Sequence, residues 1–313
     1  MASQILLDAP LPPTILELFD QEYEFHLLSD LEDEDVRWRQ IDAYLTYGHP
    51  QTDALVMDRM PKLKVISNFG VGVDHIDTKA ATERGISVGN TPHLLDGATA
   101  DMTFALLMAA ARRIVVGDKF ARSSDFTQYD PSILHGTEIH GSTIGIIGMG
   151  SIGKQVAKRA HGFDMKIVYH NRKRDLEDTK YHAKYVSLET LLGNSDFVAL
   201  NCPLTDSTRG LINETALKRM KSTAILINLA RGGVVDHDAL LNALSNGWIA
   251  AAALDVTEPE PLPRDHALLK LDNLVIAPHL GSATINTRHA MARRTVENLK
   301  AGLALQPLIS SVC

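Results

Sequence analysis

The stretch "TIGIIGMGSIGKQVAKRA", from Thr143 to Ala160, decides the fold. Its first residues form an apolar run that suits a buried strand, and its last residues have the spacing of an amphipathic helix. Between them stand Gly148, Gly150 and Gly153, a spacing typical of a loop that holds the pyrophosphate of a dinucleotide. The first glycine permits a tight turn, the second lets the backbone approach the pyrophosphate, and the third allows the helix to pack closely on the strand. The sequence therefore predicts a Rossmann-like unit with the helix N-terminus at the phosphates.

The next predicted strand, "KIVYHNRKR" from Lys166 to Arg174, indicates which dinucleotide binds. In NAD-binding units this strand usually ends in Asp or Glu, which binds the ribose 2′-hydroxyl. Here the position holds Asn171 and Arg172, followed by Lys173 and a further arginine. A carboxylate would repel a 2′-phosphate, whereas a guanidinium group binds one through charge-assisted hydrogen bonds. We therefore predict NADP(H) in preference to NAD(H), with the alternative that "RKR", from Arg172 to Arg174, is a solvated basic turn.

Length and composition limit the classes of protein to consider. The chain has 313 residues, of which 45% are hydrophobic, which is enough for about two domains. A formal net charge of -7 disfavours nucleic acid or an anionic membrane as the main partner. Two cysteines, Cys202 and Cys313, are too few for a disulfide framework. With no signal-peptide pattern and no apolar run of membrane-spanning length, we expect a cytoplasmic protein.

Short apolar runs alternate with helical patterns along most of the chain, which predicts α/β architecture. Strand, helix, strand at this spacing favours parallel sheets with helices on both faces. The runs are apolar rather than alternating, as expected for strands buried on both faces. We predict two doubly wound parallel-sheet domains, with strands in the segments QILL, DALVM, LKVISNF, GISVGN, STIGIIG, KIVYH, DFVALNC, AILINLA, AAALDV and LVIAP.

The pattern places the domain boundaries near two helices. Residues 1–97 and 287–313 are predicted to form one domain, and residues 98–286 the other. The segment "ATADMTFALLMAAARRI" is apolar on nearly every side and is predicted to be a buried helix. Residues 125–140 are polar and irregular, which indicates a loop or arm.

Four further motifs occur in order along the chain: "NFGVGVDHID", "NLARGGVVD", "ALDVTEPEPLP" and "APHLGSATINTR". Together with the glycine loop they resemble the D-isomer-specific 2-hydroxyacid dehydrogenase family, over essentially the whole length. Within that family the chain is most similar to glyoxylate/hydroxypyruvate reductases. The resemblance implies a homodimer, a substrate-binding domain at 1–97 and 287–313, and a dinucleotide-binding domain at 98–286. It also implies an active site in the interdomain cleft.

The resemblance assigns the chemistry to Arg231, Glu260 and His279. Reduction of a 2-oxo acid needs a hydride from the nicotinamide and a proton for the developing alkoxide. A histidine titrates near neutrality and can supply that proton, and a carboxylate beside it favours the imidazolium form. An arginine keeps its charge, so it can hold a carboxylate and polarise the adjacent carbonyl. No H-x-x-x-H or C-x-x-C spacing is present, so we predict that the reaction needs no metal.

The resemblance also supplies binding residues. The substrate carboxylate is expected at the backbone N–H groups of Val71 and Gly72, together with Arg231 and His279. Asp255 matches the residue that binds the nicotinamide carboxamide; alternatively, it caps the next turn. The predicted cofactor-binding residues are Gly148, Gly150, Ser151, Ile152, Gly153, Asn171, Arg172, Lys173, Pro203, Leu229, Asp255 and Thr99.

We therefore predict an NADPH-dependent reductase of small 2-oxo acids, glyoxylate or hydroxypyruvate, that forms the D-2-hydroxy acid. A larger 2-oxo acid such as 2-ketogluconate or hydroxyphenylpyruvate is an alternative, because the arm has Phe126 where relatives often carry a tryptophan. A dinucleotide-sensing protein similar to the transcriptional corepressors of this fold is a second alternative, since such proteins can keep the triad.

Overall fold

The computed structural model describes residues 2–19 and 23–312, so Cys313 lies outside the described residues. The chain divides into two compact units, Met1–Leu95 with Thr284–Cys313, and Asp96–Ala283. The divisions fall where helices begin, because Asp96 is the first residue of one helix and Thr284 caps the last one. The predicted boundaries, after residue 97 and before residue 287, fall inside these helices, within three residues of the divisions.

The first unit contains a five-stranded sheet in which every pairing is parallel. The strand order is β2-β1-β3-β4-β5, the flavodoxin-like order of a doubly wound sheet. Its strands are β1 (Ser3–Leu7), β2 (Tyr23–Leu27), β3 (Ala43–Thr46), β4 (Val65–Asn68) and β5 (Ser87–Gly89). Its helices are α1 (Pro13–Leu16), α2 (Ala54–Asp58), α3 (Thr78–Glu83) and α10 (Ile285–Leu303).

The segment "DALVM" is a helix, so its prediction as a strand was wrong. The side chain of Asp53 accepts a hydrogen bond from the Val56 backbone N–H at 3.0 Å and so caps helix α2. Alanine, leucine and methionine are good helix formers, and this cap starts the helix despite the apolar run. Strands β2 and β3, of five and four residues, were not predicted.

The last helix packs on the sheet of the first unit. The Ser67 hydroxyl donates a hydrogen bond to the backbone carbonyl of Thr295 at 2.7 Å, and both side chains are buried. Asn298 donates to the Asn90 carbonyl at 3.0 Å, one turn further along the helix. Helix α10 thus belongs to the same unit as strands β1 to β5.

The second unit contains a seven-stranded parallel sheet of order β12-β11-β10-β9-β6-β7-β8. Counted within the unit, this is the Rossmann order with a seventh strand added at one edge. The order reverses between β6 and β9, and ligands of such sheets bind where the carboxyl ends of the strands diverge. The strands are β6 (Thr143–Ile147), β7 (Lys166–His170), β8 (Ala183–Tyr185), β9 (Phe197–Leu200), β10 (Ile225–Asn228), β11 (Ala251–Leu254) and β12 (Leu274–Ile276). The prediction of two doubly wound α/β domains is confirmed.

Helices cover both faces of this sheet. They are α4 (Asp96–Ala111), α5 (Ile114–Ala121), α6 (Ser151–Ala160), α7 (Leu188–Asn194), α8 (Glu214–Arg219) and α9 (His237–Ser245). The predicted apolar helix is divided at Arg113, whose backbone is left-handed at φ 51°. Residues 125–140 contain no helix or strand. In the described part of the chain, no helix is both long and apolar enough to cross a lipid bilayer.

Candidate active site

The glycine loop has the geometry that its sequence predicts. Gly148 lies in the left-handed region at φ 98°, a backbone conformation that favours glycine, and it makes the tight turn after β6. A Cβ atom on Gly153 would collide with the Gly148 carbonyl oxygen, so helix α6 can lie this close to the strand only with glycine there. A Cβ on Gly150 would meet nothing within 4 Å, so the backbone is open on that side. Ser151 and Ile152 form the first turn of α6.

The end of strand β7 is fastened to this loop. The Asn171 side chain accepts a hydrogen bond from the Met149 backbone N–H at 2.7 Å. The backbone carbonyl of Asn171 accepts another from the Tyr185 hydroxyl at 3.0 Å. These two hydrogen bonds of Asn171 connect the end of β7 to the glycine loop and to Tyr185.

The three cations after Asn171 differ in their surroundings. Arg174 forms an ion pair with the carboxylate of Asp178 at 2.7 Å, and Tyr169 donates a hydrogen bond to the same carboxylate. This pairing holds the pKa of Asp178 below its usual range. Arg172 and Lys173 are exposed, and neither has a hydrogen bond or ion pair with any described residue. The alternative of a structural basic turn thus fits Arg174, while the other two cations can meet a ligand.

Arg231 is presented by a turn that a buried asparagine closes. Asn228, the last residue of β10, accepts a hydrogen bond from the Ala230 N–H at 3.0 Å and donates to the Arg231 carbonyl at 2.9 Å. A Cβ on Gly232 would collide with the backbone of Thr257, so the turn after β10 lies directly against the turn after β11. This contact brings Arg231 towards the segment that carries Glu260.

Glu260 and His279 form a hydrogen-bonded pair. The distance from Nδ1 of His279 to Oε1 of Glu260 is 2.7 Å, and both side chains are half-buried. Burial acts to raise the pKa of Glu260, but the hydrogen bond and charge of His279, with the charge of Arg231, hold that pKa below its usual range. The carboxylate therefore stays ionised at neutral pH and holds the imidazole ring through the hydrogen bond. The structure brings all three predicted catalytic residues together in the second unit.

Asp255 determines the path of the backbone at His279. The carboxylate of Asp255 accepts hydrogen bonds from the N–H groups of Leu280 and Gly281, each at 2.7 Å. Its backbone carbonyl accepts from the His279 N–H at 2.8 Å. These three bonds hold His279 in the left-handed region at φ 57°, a costly conformation for a non-glycine residue. Burial raises the pKa of Asp255, and the two backbone hydrogen bonds oppose that rise.

Three further predicted cofactor-binding residues also belong to the second unit, namely Thr99, Pro203 and Leu229. A Cβ on Gly281 would lie 3.4 Å from Cγ2 of Thr99, so Thr99 borders the turn that carries His279. Pro203 is exposed, and its carbonyl accepts a hydrogen bond from the Thr208 hydroxyl at 2.6 Å. Leu229 is buried behind the turn of Arg231.

The turn at Val71 and Gly72 belongs to the first unit. Asn68 donates to the carbonyls of Gly70 and Gly72 at 3.0 and 2.9 Å, and Asn90 donates to the Val71 carbonyl at 2.9 Å. With the carbonyls held, the N–H groups of Val71 and Gly72 have no hydrogen-bond acceptor among the described residues. Two such N–H groups in one turn can bind an anion.

The same combination of motifs occurs in known proteins. Residues 104–281 match the family described as D-isomer specific 2-hydroxyacid dehydrogenase, NAD binding domain. The chain is 45% identical to the glyoxylate reductase of Pyrococcus horikoshii, over 96% of this chain and 93% of that relative. It is 44% identical to the glyoxylate reductase of Korarchaeum cryptofilum, over the same shares. This chain belongs to the D-isomer specific 2-hydroxyacid dehydrogenase family.

Solved structures agree with this assignment. The crystal structure of the TT0316 protein from Thermus thermophilus is 43% identical and has a TM-score of 0.89, covering 99% of this chain and 100% of that one. An NADPH-dependent glyoxylate/hydroxypyruvate reductase from Sinorhizobium meliloti, in complex with NADP and malonate, is 31% identical with a TM-score of 0.91. That match covers 100% of this chain and 97% of the other. As a 2-hydroxyacid dehydrogenase of this family, the chain is an NAD(P)-dependent oxidoreductase.

The residues of this dehydrogenase fit a nicotinamide dinucleotide. The loop from Gly148 to Gly153 leaves open backbone at Gly150, and no side chain caps the N-terminus of α6. Arg172 and Lys173 supply unpaired positive charge beyond the loop. Among the described residues, no group of three or more His, Cys, Asp or Glu side chains is arranged to hold a metal ion.

Several residues that shape the site were not predicted. Asn68 and Asn228 hold the turns of Val71 and Arg231, and each is the last residue of a buried strand. A buried amide at the end of such a strand must find hydrogen-bond partners, so this position is a signal that the sequence contains. Cys202 follows β9, and burial raises the pKa of its thiol to about 11, so the thiol stays protonated at neutral pH.

Proposed function

We propose that this dehydrogenase is an NADPH-dependent reductase of small 2-oxo acids, glyoxylate and hydroxypyruvate, which it converts to the D-2-hydroxy acid. The observation that carries the proposal is the hydrogen-bonded pair of His279 and Glu260, close enough to Arg231 for its charge to lower the pKa of Glu260. The glyoxylate reductases of two archaea, 45% and 44% identical, support the choice of substrate.

His279 is the proton donor in this proposal. When bound, the reduced nicotinamide supplies the hydride that adds to the carbonyl carbon. The carbonyl oxygen gains negative charge as this happens and takes the proton of an imidazolium. Nδ1 of His279 is engaged with Glu260 at 2.7 Å, so the proton leaves from Nε2. Deprotonated His279 then regains a proton from solvent, which its half-exposed side chain allows.

Glu260 and Arg231 support this transfer in different ways. The ionised carboxylate of Glu260 fixes the orientation of the imidazole ring, so it is a positioning residue. Arg231 remains charged at any working pH and presents a planar set of donors. It holds the substrate carboxylate and stabilises the charge that develops on the carbonyl oxygen.

The backbone N–H groups of Val71 and Gly72 are proposed to bind the substrate carboxylate. Their neighbouring carbonyls are occupied by Asn68 and Asn90, which keeps the N–H groups turned outwards. A small 2-oxo acid consists of little besides a carboxylate and a carbonyl, so such anion contacts supply most of its binding.

We further propose that Arg172 and Lys173 bind the 2′-phosphate of NADPH. Both are exposed and without a partner among the described residues, whereas Arg174 is held by Asp178. The Sinorhizobium meliloti relative, an NADPH-dependent reductase in complex with NADP, supports the preference. Asp255 and Thr99 are proposed to border the nicotinamide, because both adjoin the turn at Gly281.

The experiment follows the absorbance of NADPH with glyoxylate, hydroxypyruvate, 2-ketogluconate and hydroxyphenylpyruvate. We expect turnover with the two small acids, and a loss in kcat of about 10³-fold or more in His279→Gln with cofactor affinity retained. Turnover only with the larger acids would overturn the substrate assignment. No turnover with any 2-oxo acid, with tight NADPH binding, would favour the dinucleotide-sensing alternative.

A homodimer is also proposed. Large apolar side chains are exposed on α5 and the following arm, namely Ile114, Val115, Phe126, Tyr129 and Ile133. Exposed apolar groups in one region of a chain are typical of a protein interface. Sedimentation velocity should give twice the chain mass of 34.2 kDa, and a monomer at micromolar concentration would contradict the proposal.

A further inference from the structure

Asn201 is the first residue after strand β9, and it lies at the point where the strand order of the Rossmann sheet reverses. Its backbone N–H donates to the carbonyl of Ile147 at 2.8 Å, which joins it to the end of β6. A Cβ on Gly148 would collide with the backbone of Asn201 and Cys202, so the asparagine directly adjoins the glycine loop. Dinucleotides bind to doubly wound sheets in this crevice.

The amide of Asn201 has no partner among the residues that the structure describes. Its Oδ1 and Nδ2 atoms are both shielded from solvent, and neither forms a hydrogen bond with a described residue. Burying an amide without partners is costly, and fewer than about one in ten buried polar groups is left in this way. Asn228 ends the neighbouring strand β10, and both of its amide groups are paired with its own turn. The amide of Asn228 therefore pairs with its own turn, whereas the amide of Asn201 pairs with no described residue.

We propose that Asn201 is a cofactor-binding residue whose shielded amide turns towards the bound dinucleotide and pairs with one of its ribose hydroxyls. The inference rests on the cofactor site of the proposed function and adds a contact to it. A hydroxyl can accept from Nδ2 and donate to Oδ1, whereas a phosphate oxygen can only accept. One ribose hydroxyl, or the vicinal pair, therefore satisfies both sides of the amide.

The order of the strands selects the ribose. The glycine loop follows β6, and Arg172, which the proposed function assigns to the 2′-phosphate of the adenosine half, follows β7. Strand β9 lies on the opposite side of β6, about 4.8 Å away. Asn201 thus lies on the nicotinamide side of the pyrophosphate, and the ribose in question is the one that carries the nicotinamide.

The test combines cofactor affinity with the stability of the cofactor-free protein. Asn201→Leu has a similar shape and removes both polar atoms. We expect it to weaken NADPH and NADH by a common factor of about ten, the effect of one or two neutral hydrogen bonds. Without cofactor, its thermal midpoint should be unchanged or higher, because an unpaired buried amide has been removed. The matched control Asn228→Leu should lower the midpoint, because it breaks two internal hydrogen bonds.

ADP-ribose and ADP locate the contact, since they differ by the second ribose. Calorimetric titration should show Asn201→Leu weakening ADP-ribose about tenfold and leaving ADP unchanged. Equal weakening of both would overturn the assignment to the nicotinamide ribose. Unchanged affinity for all four ligands would overturn the proposal, as would a lower midpoint with unchanged affinity, which marks a structural amide.

A second variant keeps the test decisive if leucine disturbs the fold. Asn201→Asp is nearly isosteric, loses the donor and places a carboxylate beside the pyrophosphate. It should weaken every dinucleotide by more than the leucine variant, and unchanged affinity would overturn the proposal. These titrations contain no 2-oxo acid, so their outcome is independent of whether glyoxylate proves to be the substrate.

Discussion

The two ends of the carboxyl edge of the Rossmann sheet hold their charges in opposite ways. After β7, Arg172 and Lys173 extend into solvent without partners among the described residues. After β11 and β12, Glu260 and His279 are hydrogen-bonded to each other, and three hydrogen bonds to Asp255 fix the turn of the histidine. The cations after β7 can therefore pair with a charged ligand, whereas Glu260 and His279 are already paired with each other.

Under the proposed function, the difference follows from what each end has to do. A 2′-phosphate brings its own negative charge and orders flexible cations when it binds, at a modest cost in side-chain entropy. A proton donor has to be aligned before the reaction, because reorganising it during the reaction would add to the barrier. Substitutions at the fixed end should therefore affect kcat, and substitutions at the open end should affect the KM for cofactor.

The largest effect is expected for Arg231→Ala. It removes both the partner of the substrate carboxylate and the charge beside the carbonyl, so kcat/KM for glyoxylate should fall about 10²- to 10³-fold or more. Steady-state kinetics at saturating NADPH measure this. The control is Arg209→Ala, which breaks an exposed ion pair with Glu258 on the same side of the turn. Equal losses in the two variants would show that Arg231 acts only as a positive charge near the site and not through contact with the substrate.

Glu260→Gln should lower kcat about ten- to a hundredfold, because a neutral amide holds the imidazole ring less firmly than a carboxylate does. Since the pKa of Glu260 lies below its usual value of 4.5, the wild-type carboxylate stays ionised throughout the range from pH 7 to pH 5. Wild-type kcat should therefore not be lost between pH 7 and pH 5 and should fall only in stronger acid, where Glu260 becomes protonated. A wild-type kcat that already falls between pH 7 and pH 5 would contradict the low pKa.

At the open end, Arg172→Ala should raise the KM for NADPH about tenfold and leave the KM for NADH within about twofold. Arg174→Ala is the matched control, because it removes an adjacent cation that the structure pairs with Asp178. It should lower the thermal midpoint and leave the preference for NADPH unchanged. If both variants raised the KM for NADPH and NADH alike, the basic turn would not select the cofactor.

Much of the fold and of the candidate site could be predicted from the sequence motifs. The glycine loop could be predicted because its spacing, between a buried strand and a helix, is typical of a dinucleotide-binding loop, and Gly148 and Gly153 each have a steric reason to be glycine. Arg231, Glu260 and His279 could be located because each lies in a motif at the end of a strand. What the motifs could not give is which charged side chains pair with each other.

The remaining features depend on contacts between residues distant in sequence. The segment "DALVM" could be either strand or helix by its apolar run, and the cap from Asp53 decided it. Arg172 and Arg174 are equivalent in sequence, and only the position of buried Asp178 distinguishes them. Asn201 and Asn228 likewise lie at the ends of adjacent strands, and of the two only Asn228 has hydrogen-bond partners for its amide among the described residues.

The most direct test of the central claim, that Glu260 acts through His279, is a double-mutant cycle in single-turnover reduction of glyoxylate by bound NADPH. The variants are His279→Gln, Glu260→Gln and the two combined. We predict that the double variant is no slower than His279→Gln alone, because a carboxylate that only orients and charges an imidazole has nothing to act on once the imidazole is gone. Losses that multiply would contradict the account, since they would require Glu260 to contribute to the reaction independently of His279.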